Sequence, residues 1–371
     1  VESDRRMKVG FSSVILSFPT SLEMAGYILR KGVSIGCNDS LELFCVYLSN
    51  DETEVALVVF DLLSVPEKLP KQVSGVNLIP IATHTHSAPK PNLVAEIIES
   101  CTEECLIEAK KKATEIEEIV VRKGEISGVC DLRNKPGSEQ IPIPLSHIHF
   151  KTRMERFSIL LFPCHPTVLG PENLLYSADL PGSIRRKLSL KEGCPVLFMN
   201  SCCGNVSTHK TRQNRSFAEI ERLTEIFTDR LHLEEVYRVT HPRYLVLKNE
   251  EFVVNCVTKN LSSLSLSDRD IPGVMLARQR EVLPKTEKVR ISLLAIGSLK
   301  FVFVPFELFI EFCTQHMFAE KQVFIVCYAN SAASYVVPKD VHSGYEWLAS
   351  PYSDETEERL LRLIDRELLN L

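Results

Sequence analysis

Short apolar runs rich in valine, isoleucine and phenylalanine recur along the chain and alternate with stretches of helical period. Residues 55–60, 78–82, 157–162, 195–199, 289–295 and 323–328 read as strands, several of them apolar throughout, as strands buried on both faces are. Residues 91–118, 216–233, 306–318 and 354–371 have the spacing of helices. In the last, Asp354 and Glu357 have the separation of a capping box, and Leu360, Leu361, Ile364 and Leu368 form one stripe. Such alternation predicts an α/β fold of mixed β-sheets flanked by helices. The 371 residues suffice for one large domain or two smaller ones, and no internal repeat, low-complexity tract or long Pro/Gly linker divides them. Residues 134–144, where Pro136, Gly137, Pro142 and Pro144 cluster, are the expected surface excursion.

Composition narrows the function classes. With 43 basic against 48 acidic residues the net charge is only −5, and the basic triplets 110–112 and 185–187 are isolated in mixed sequence, as on solvated helix faces. Nothing in this balance predicts a nucleic-acid partner. The 12 cysteines contain no CxxC pair and sit mostly in apolar contexts, which suggests small buried hydrophobes in a reducing compartment. Cys202 and Cys203 are read in this way, as inert thiols at a strand end. The first ten residues are charged and lead into a strand, unlike a signal peptide. The most apolar stretch, 299–312, is too short for a membrane span of about 20 residues and contains Glu307 and Glu311. A cytoplasmic protein without a transmembrane segment is expected.

Polar residues at the ends of apolar runs are the candidates for chemistry, because ligands in α/β proteins collect beyond strand ends. His84-Thr85-His86 follows one such run. On extended backbone the two imidazoles project from one side, where they can bind a metal or divide metal binding and proton transfer between them. Surface or hydrogen-bonded core histidines have the same spacing. His147-Ile148-His149 shares it too, but lies between a proline-rich loop and a basic strand and is expected to be structural. His165 ends another apolar run, and Glu307 starts a helix after a third. Singly, His165 reads more readily as a satisfied core histidine and Glu307 as an N-terminal helix-dipole contact.

Six motifs in order give the chain a family resemblance. Thr83-His84-Thr85-His86-Ser87-Ala88-Pro89 resembles the THTHSGP signature of the neutral, non-lysosomal ceramidases, and residues 162–167, Phe-Pro-Cys-His-Pro-Thr, resemble their second histidine motif. Residues 200–207, ending in Asn205-Val206-Ser207, are similar to the segment ending in GDVS. Pro305-Phe306-Glu307-Leu308 resembles PGEF, Asn330 to Tyr335 resembles N-x-x-x-x-Y, and Tyr345-Glu346 resembles a YE pair. The resemblance spans nearly the whole chain. It implies a single catalytic domain over residues 1–371 and one zinc ion bound by His84, His165, Glu307 and Tyr335. It further implies proton exchange by His86, oxyanion stabilisation by Tyr345, and a catalytic role for Arg133 in holding the substrate carbonyl or the metal-bound water. Ser207 corresponds to a headgroup contact, with Asn205 and His209 beside it. Asp179 and Gly182 resemble a turn that scaffolds the pocket.

The departures cluster around the implied substrate pocket. Asn205 stands for the family's aspartate, Thr208-His209 for Pro-Asn, Leu132 for the asparagine before Arg133, and Phe306 for a glycine. The chain also ends where the family's C-terminal β-sandwich would begin, so that domain is expected to be absent. The expectation is a zinc-dependent hydrolase that cleaves an N-acyl amide with metal-activated water, its substrate a small molecule or lipid-like N-acyl compound. Two alternatives stay open: a metal-dependent deacylase or esterase for a small polar cytoplasmic substrate, and a catalytically silent module that binds metal or ligand.

Overall fold

The structure, a computed structural model, describes residues 6–134, 141–259, 261, 271–279, 284–314 and 322–371. Ten strands form one sheet, in the order Val196–Met199, Arg156–Leu161, Ile143–Thr152, Thr114–Ile126, Lys8–Leu16, Leu41–Ser49, Glu54–Phe60, Val76–Ala82 and Gln72–Val73, with Glu234–Thr240 also paired to Thr114–Ile126. A second sheet of four strands runs Leu245–Asn255, Thr286–Ile296, Leu299–Phe303 and Val323–Val326.

Strand alternation divides the core. In Leu41–Ser49, Phe44, Val46 and Leu48 pack in one cluster with Phe301, Phe303 and Phe324 of the smaller sheet. Their neighbours Leu43, Cys45 and Tyr47 share the other cluster with Ile98, Cys105 and Leu106 of the helix Ala95–Lys112. The sheets therefore lie face to face, with helices on their outer surfaces: Ala95–Lys112, Asp179–Glu192 and Phe217–Arg230 on the large sheet, Thr356–Leu369 on the small one. These are the mixed, helix-flanked sheets that the alternation of runs predicts. Among the described residues, no helix is long and apolar enough to cross a membrane.

Within these two sheets, three pairs of neighbouring strands are parallel: Glu54–Phe60 with Val76–Ala82, Arg156–Leu161 with Val196–Met199, and Leu299–Phe303 with Val323–Val326. The segments leaving their C-terminal ends meet at one edge of the sandwich, where Ile81 bridges Ala329 across the sheets.

Several expectations need correction. The expected helix 91–118 is a 3-10 turn Pro91–Val94 and a helix Ala95–Lys112, followed by the strand Thr114–Ile126. A bulge between Ile116 and Glu118 hides that strand's alternation from a sequence reading. The expected helix 306–318 opens instead with a short strand, Glu307–Leu308, before the helix Ile310–Thr314; its remainder lies outside the described residues. The last helix starts at Thr356, and the Asp354/Glu357 capping box does not form, because Glu355 occupies the N-cap without a side-chain hydrogen bond. Asp179 and Gly182 belong to the first turn of the helix Asp179–Glu192 rather than to a free turn. Pro181 is tolerated there because the first turn lacks partners for its N–H groups anyway. Residues 135–140 of the expected excursion lie outside the described residues. Cys202 is not a thiol: it forms a disulfide with Cys313, so cysteine usage no longer argues for a reducing compartment.

Candidate functional site

The strand Val76–Ala82 ends just before His84, which adopts a left-handed conformation (φ 70°) uncommon for a residue with a side chain. His84 and His86 do converge, with Nε2 atoms 3.4 Å apart, but through this local turn rather than through continued strand alternation. His84 Nδ1 donates to the carbonyl of Leu63 at 2.7 Å, so its Nε2 carries the lone pair. The ring of Tyr328 stacks on it at 3.8 Å between centroids, and the Tyr328 hydroxyl lies 2.9 Å from Cys203 Sγ.

His165 arrives from the end of Arg156–Leu161, held by its N–H on the carbonyl of Val206. Its Nδ1 faces the Cys203 carbonyl at 3.4 Å, which turns Nε2 to within 3.2 Å of His84 Nε2. Glu307 and Tyr335 are register partners in a short parallel ladder and so project side by side. Glu307 Oε2 lies 3.4 Å from His84 Nε2 and 3.7 Å from His165 Nε2, is buried, and has no hydrogen-bond partner among the described residues. Burial pushes the Tyr335 hydroxyl well above its usual range, with the Glu307 charge adding to the effect. Arg133 Nη2 donates to that hydroxyl at 3.1 Å. Arg133 Nε is 2.5 Å from Glu346 Oε1, and this buried pairing keeps the guanidinium charged against the pull of burial.

Two imidazole lone pairs and a carboxylate oxygen within 3.2–3.7 Å of one another repel unless a positive charge lies between them. Ligand atoms on a tetrahedral ion with bonds of 2.0–2.1 Å are about 3.3 Å apart. The donor set therefore suits a metal of zinc type. His86 also offers Nε2, and the ligand atoms of His84, His86 and His165 lie within 4.8 Å of one another. His86 differs from the other two in that its Nδ1 rests against the backbone of Gly26, in the wall of the site. Burial, reinforced by neighbouring charges including Arg133, holds His86 and His165 well below the usual imidazole range, so both are neutral at pH 7.

These groups floor a cavity of about 640 Å³. Tyr345, at the start of the helix Tyr345–Ala349, lines it beside Tyr335, with ring centroids 6.0 Å apart. One wall is the irregular segment from Glu23 to Gly32, which the sequence reading passes over because it carries neither period. Within it Tyr27 meets the His86 ring edge-on at 5.0 Å, and Arg30 Nη2 donates to the His86 carbonyl at 2.7 Å. The one signal available in advance was Gly26, between larger residues at a point where the chain must turn.

Three expected substrate contacts sit elsewhere. Asn205, Ser207 and His209 do not line the cavity. Asn205 is buried with both ends of its amide engaged: Oδ1 accepts from Ile310 N at 2.9 Å and Nδ2 donates to Glu311 Oε2 at 2.8 Å. Ser207 is buried in a short strand paired with Asp131, and His209 is exposed.

No protein-family model matches the sequence, and no curated protein matches it significantly. Solved structures do match its fold. A ceramidase complexed with C2 aligns with a TM-score of 0.72 and 16% identity, over 97% of this chain and 74% of the ceramidase chain. The neutral ceramidase of Pseudomonas aeruginosa aligns with a TM-score of 0.73 at the same identity and coverage. The fold is that of the neutral ceramidases. At 16% identity the likeness establishes architecture, and chemistry rests on the residues themselves.

Proposed function

We propose that the protein is a zinc-dependent hydrolase of N-acyl amides. The observation that carries this reading is the buried, unpartnered Glu307 Oε2 facing the Nε2 atoms of His84 and His165. His84, His165, Glu307 and Tyr335 would hold one ion, since the first two have their Nδ1 atoms turned to backbone carbonyls, as ligating histidines do. When bound, zinc supplies Lewis acidity, acidifying water and polarising an acyl carbonyl.

The protein's own groups do the rest. His86, neutral and seated against Gly26, accepts a proton at Nε2 and passes it to the departing amine. Tyr345 offers its hydroxyl to the oxygen of the acyl carbonyl as charge develops there. Arg133 holds the Tyr335 hydroxyl and fixes its position through Glu346. His86 and Tyr345 line the same cavity, an arrangement that a silent metal-binding module does not need.

The cavity has the size of a small-molecule site and mixes Met24, Ile28, Leu63 and Leu276 with charged Glu23, Arg30 and Lys90. A compact amphiphilic N-acyl compound fits this lining. The exposed Glu23–Lys90 ion pair at 2.6 Å favours a second reading, deacylation of a polar ester or amide. Comparing kcat/KM across acylated amines and matched esters separates the two. His84→Ala and Glu307→Ala should each lose metal and hydrolysis together; a variant that loses the metal and keeps turnover would refute the proposal.

A further inference from the structure

The second His-x-His pair, expected to be structural, has acquired an acidic partner. His147 and His149 project from the same side of the strand Ile143–Thr152, and the last residue of the helix Asp179–Glu192 meets both. His147 Nδ1 is 3.5 Å from Glu192 Oε1, and His149 Nδ1 is 3.9 Å from Glu192 Oε2. His147 is fully buried, and its Nδ1 has no hydrogen-bond partner among the described residues. Ser158 Oγ lies 2.8 Å from His147 Nε2 and 3.2 Å from Glu192 Oε2. The contacts have the order of a Ser-His-Glu triad, but Ser158 is fully buried, so no substrate reaches it.

Proton bookkeeping gives the cluster another meaning. When Ser158 donates to the carboxylate, its oxygen accepts from His147 Nε2–H, which leaves a lone pair on Nδ1 aimed at Glu192. A buried lone pair facing a carboxylate is unfavourable without a cation between them. Separations of 3.5 and 3.9 Å are too long for good hydrogen bonds and near the spacing of about 3.3 Å around a tetrahedral ion.

We propose that His147, His149 and Glu192 bind a divalent first-row cation, of which zinc is the best match to two imidazoles and a carboxylate. The side chains of His149 and Glu192 are 22% and 21% exposed, which gives the ion a path and leaves room for water as a fourth ligand. Arg122 opposes binding. Its Nη1 lies 3.3 Å from His149 Nε2, and donation there keeps the proton on Nδ1, so Arg122 must turn away as His149 ligates. The two centres share no ligand: His84, His86 and His165 group at one, and His147, His149 and Glu192 at the other. The ion would staple the large sheet to the end of the helix Asp179–Glu192, a structural role independent of hydrolysis.

Zinc per chain, measured by plasma mass spectrometry after equilibration with zinc chloride and desalting, tests the proposal in wild type, Glu192→Gln, His84→Ala and the double variant. Glu192→Gln should lose one ion relative to wild type, and the same loss should appear in the His84→Ala background. Unchanged zinc content in both backgrounds would overturn the site. His149→Gln, on a partly exposed residue, repeats the test should Glu192→Gln fold poorly. Arg122→Gln removes the opposing charge and should tighten the second ion about threefold or more; equal or weaker binding would overturn ligation by His149.

Discussion

Gly26 lies directly against the imidazole of His86: a Cβ placed on it would sit 2.5 Å from His86 Cγ and Nδ1. Its backbone is also left-handed, with φ +99°. Tyr27 and Arg30 close the seat from the side and from the main chain. Gly26→Ala should therefore displace His86 without touching the other imidazoles. The expected result is a fall in kcat on the order of 100-fold with zinc content unchanged, read by steady-state kinetics beside metal analysis.

Asn205 and Glu311 form a second informative pair, with Asn205 Nδ2 donating to Glu311 Oε2 at 2.8 Å. Asn205→Asp would restore the residue of the ceramidase motif but set two carboxylates against each other. Stability should fall by about 1–3 kcal/mol in urea unfolding, and Glu311→Gln should recover most of the loss in a double-mutant cycle. Asn205 is thus held by the helix Ile310–Thr314.

Asp179 gives the fold a pH dependence with a definite sign. Burial raises its carboxyl from 3.8 to about 6, although the N–H groups of Leu180, Leu169 and Val168 partly offset the shift. A folded pKa above the unfolded one means that the folded state binds more protons between those values. The contribution is fully present below pH 3.8 and is lost as pH rises through about 6. The stability of wild type relative to Asp179→Asn should therefore fall by about 2 kcal/mol from pH 4 to pH 7, measured by urea unfolding at each pH.

Much of this was legible in the chain. The parallel strands are mostly apolar and announce themselves, and polar residues just beyond their ends are the ones that meet. Thr114–Ile126 was obscured by one bulged residue, and Asp179–Glu192 by a proline that is harmless only in a first turn. The seat of His86 was invisible because it is irregular chain, whose position depends on contacts across the fold rather than on local period. Asn205 was misleading for a related reason: a motif gives the position, but only packing shows that its amide turns inward to Ile310 and Glu311. The Cys202–Cys313 pairing spans 111 residues and leaves no local trace.

The central claim is metal-dependent cleavage of an N-acyl amide at the His84, His165 and Glu307 cluster. Amine release from such a substrate by zinc-loaded wild type, chelator-stripped wild type and Glu307→Ala tests it most directly. Stripped protein and Glu307→Ala should both fall by on the order of a thousandfold, and added zinc should restore the stripped wild type but not the variant. Undiminished turnover by the metal-free protein would contradict the account.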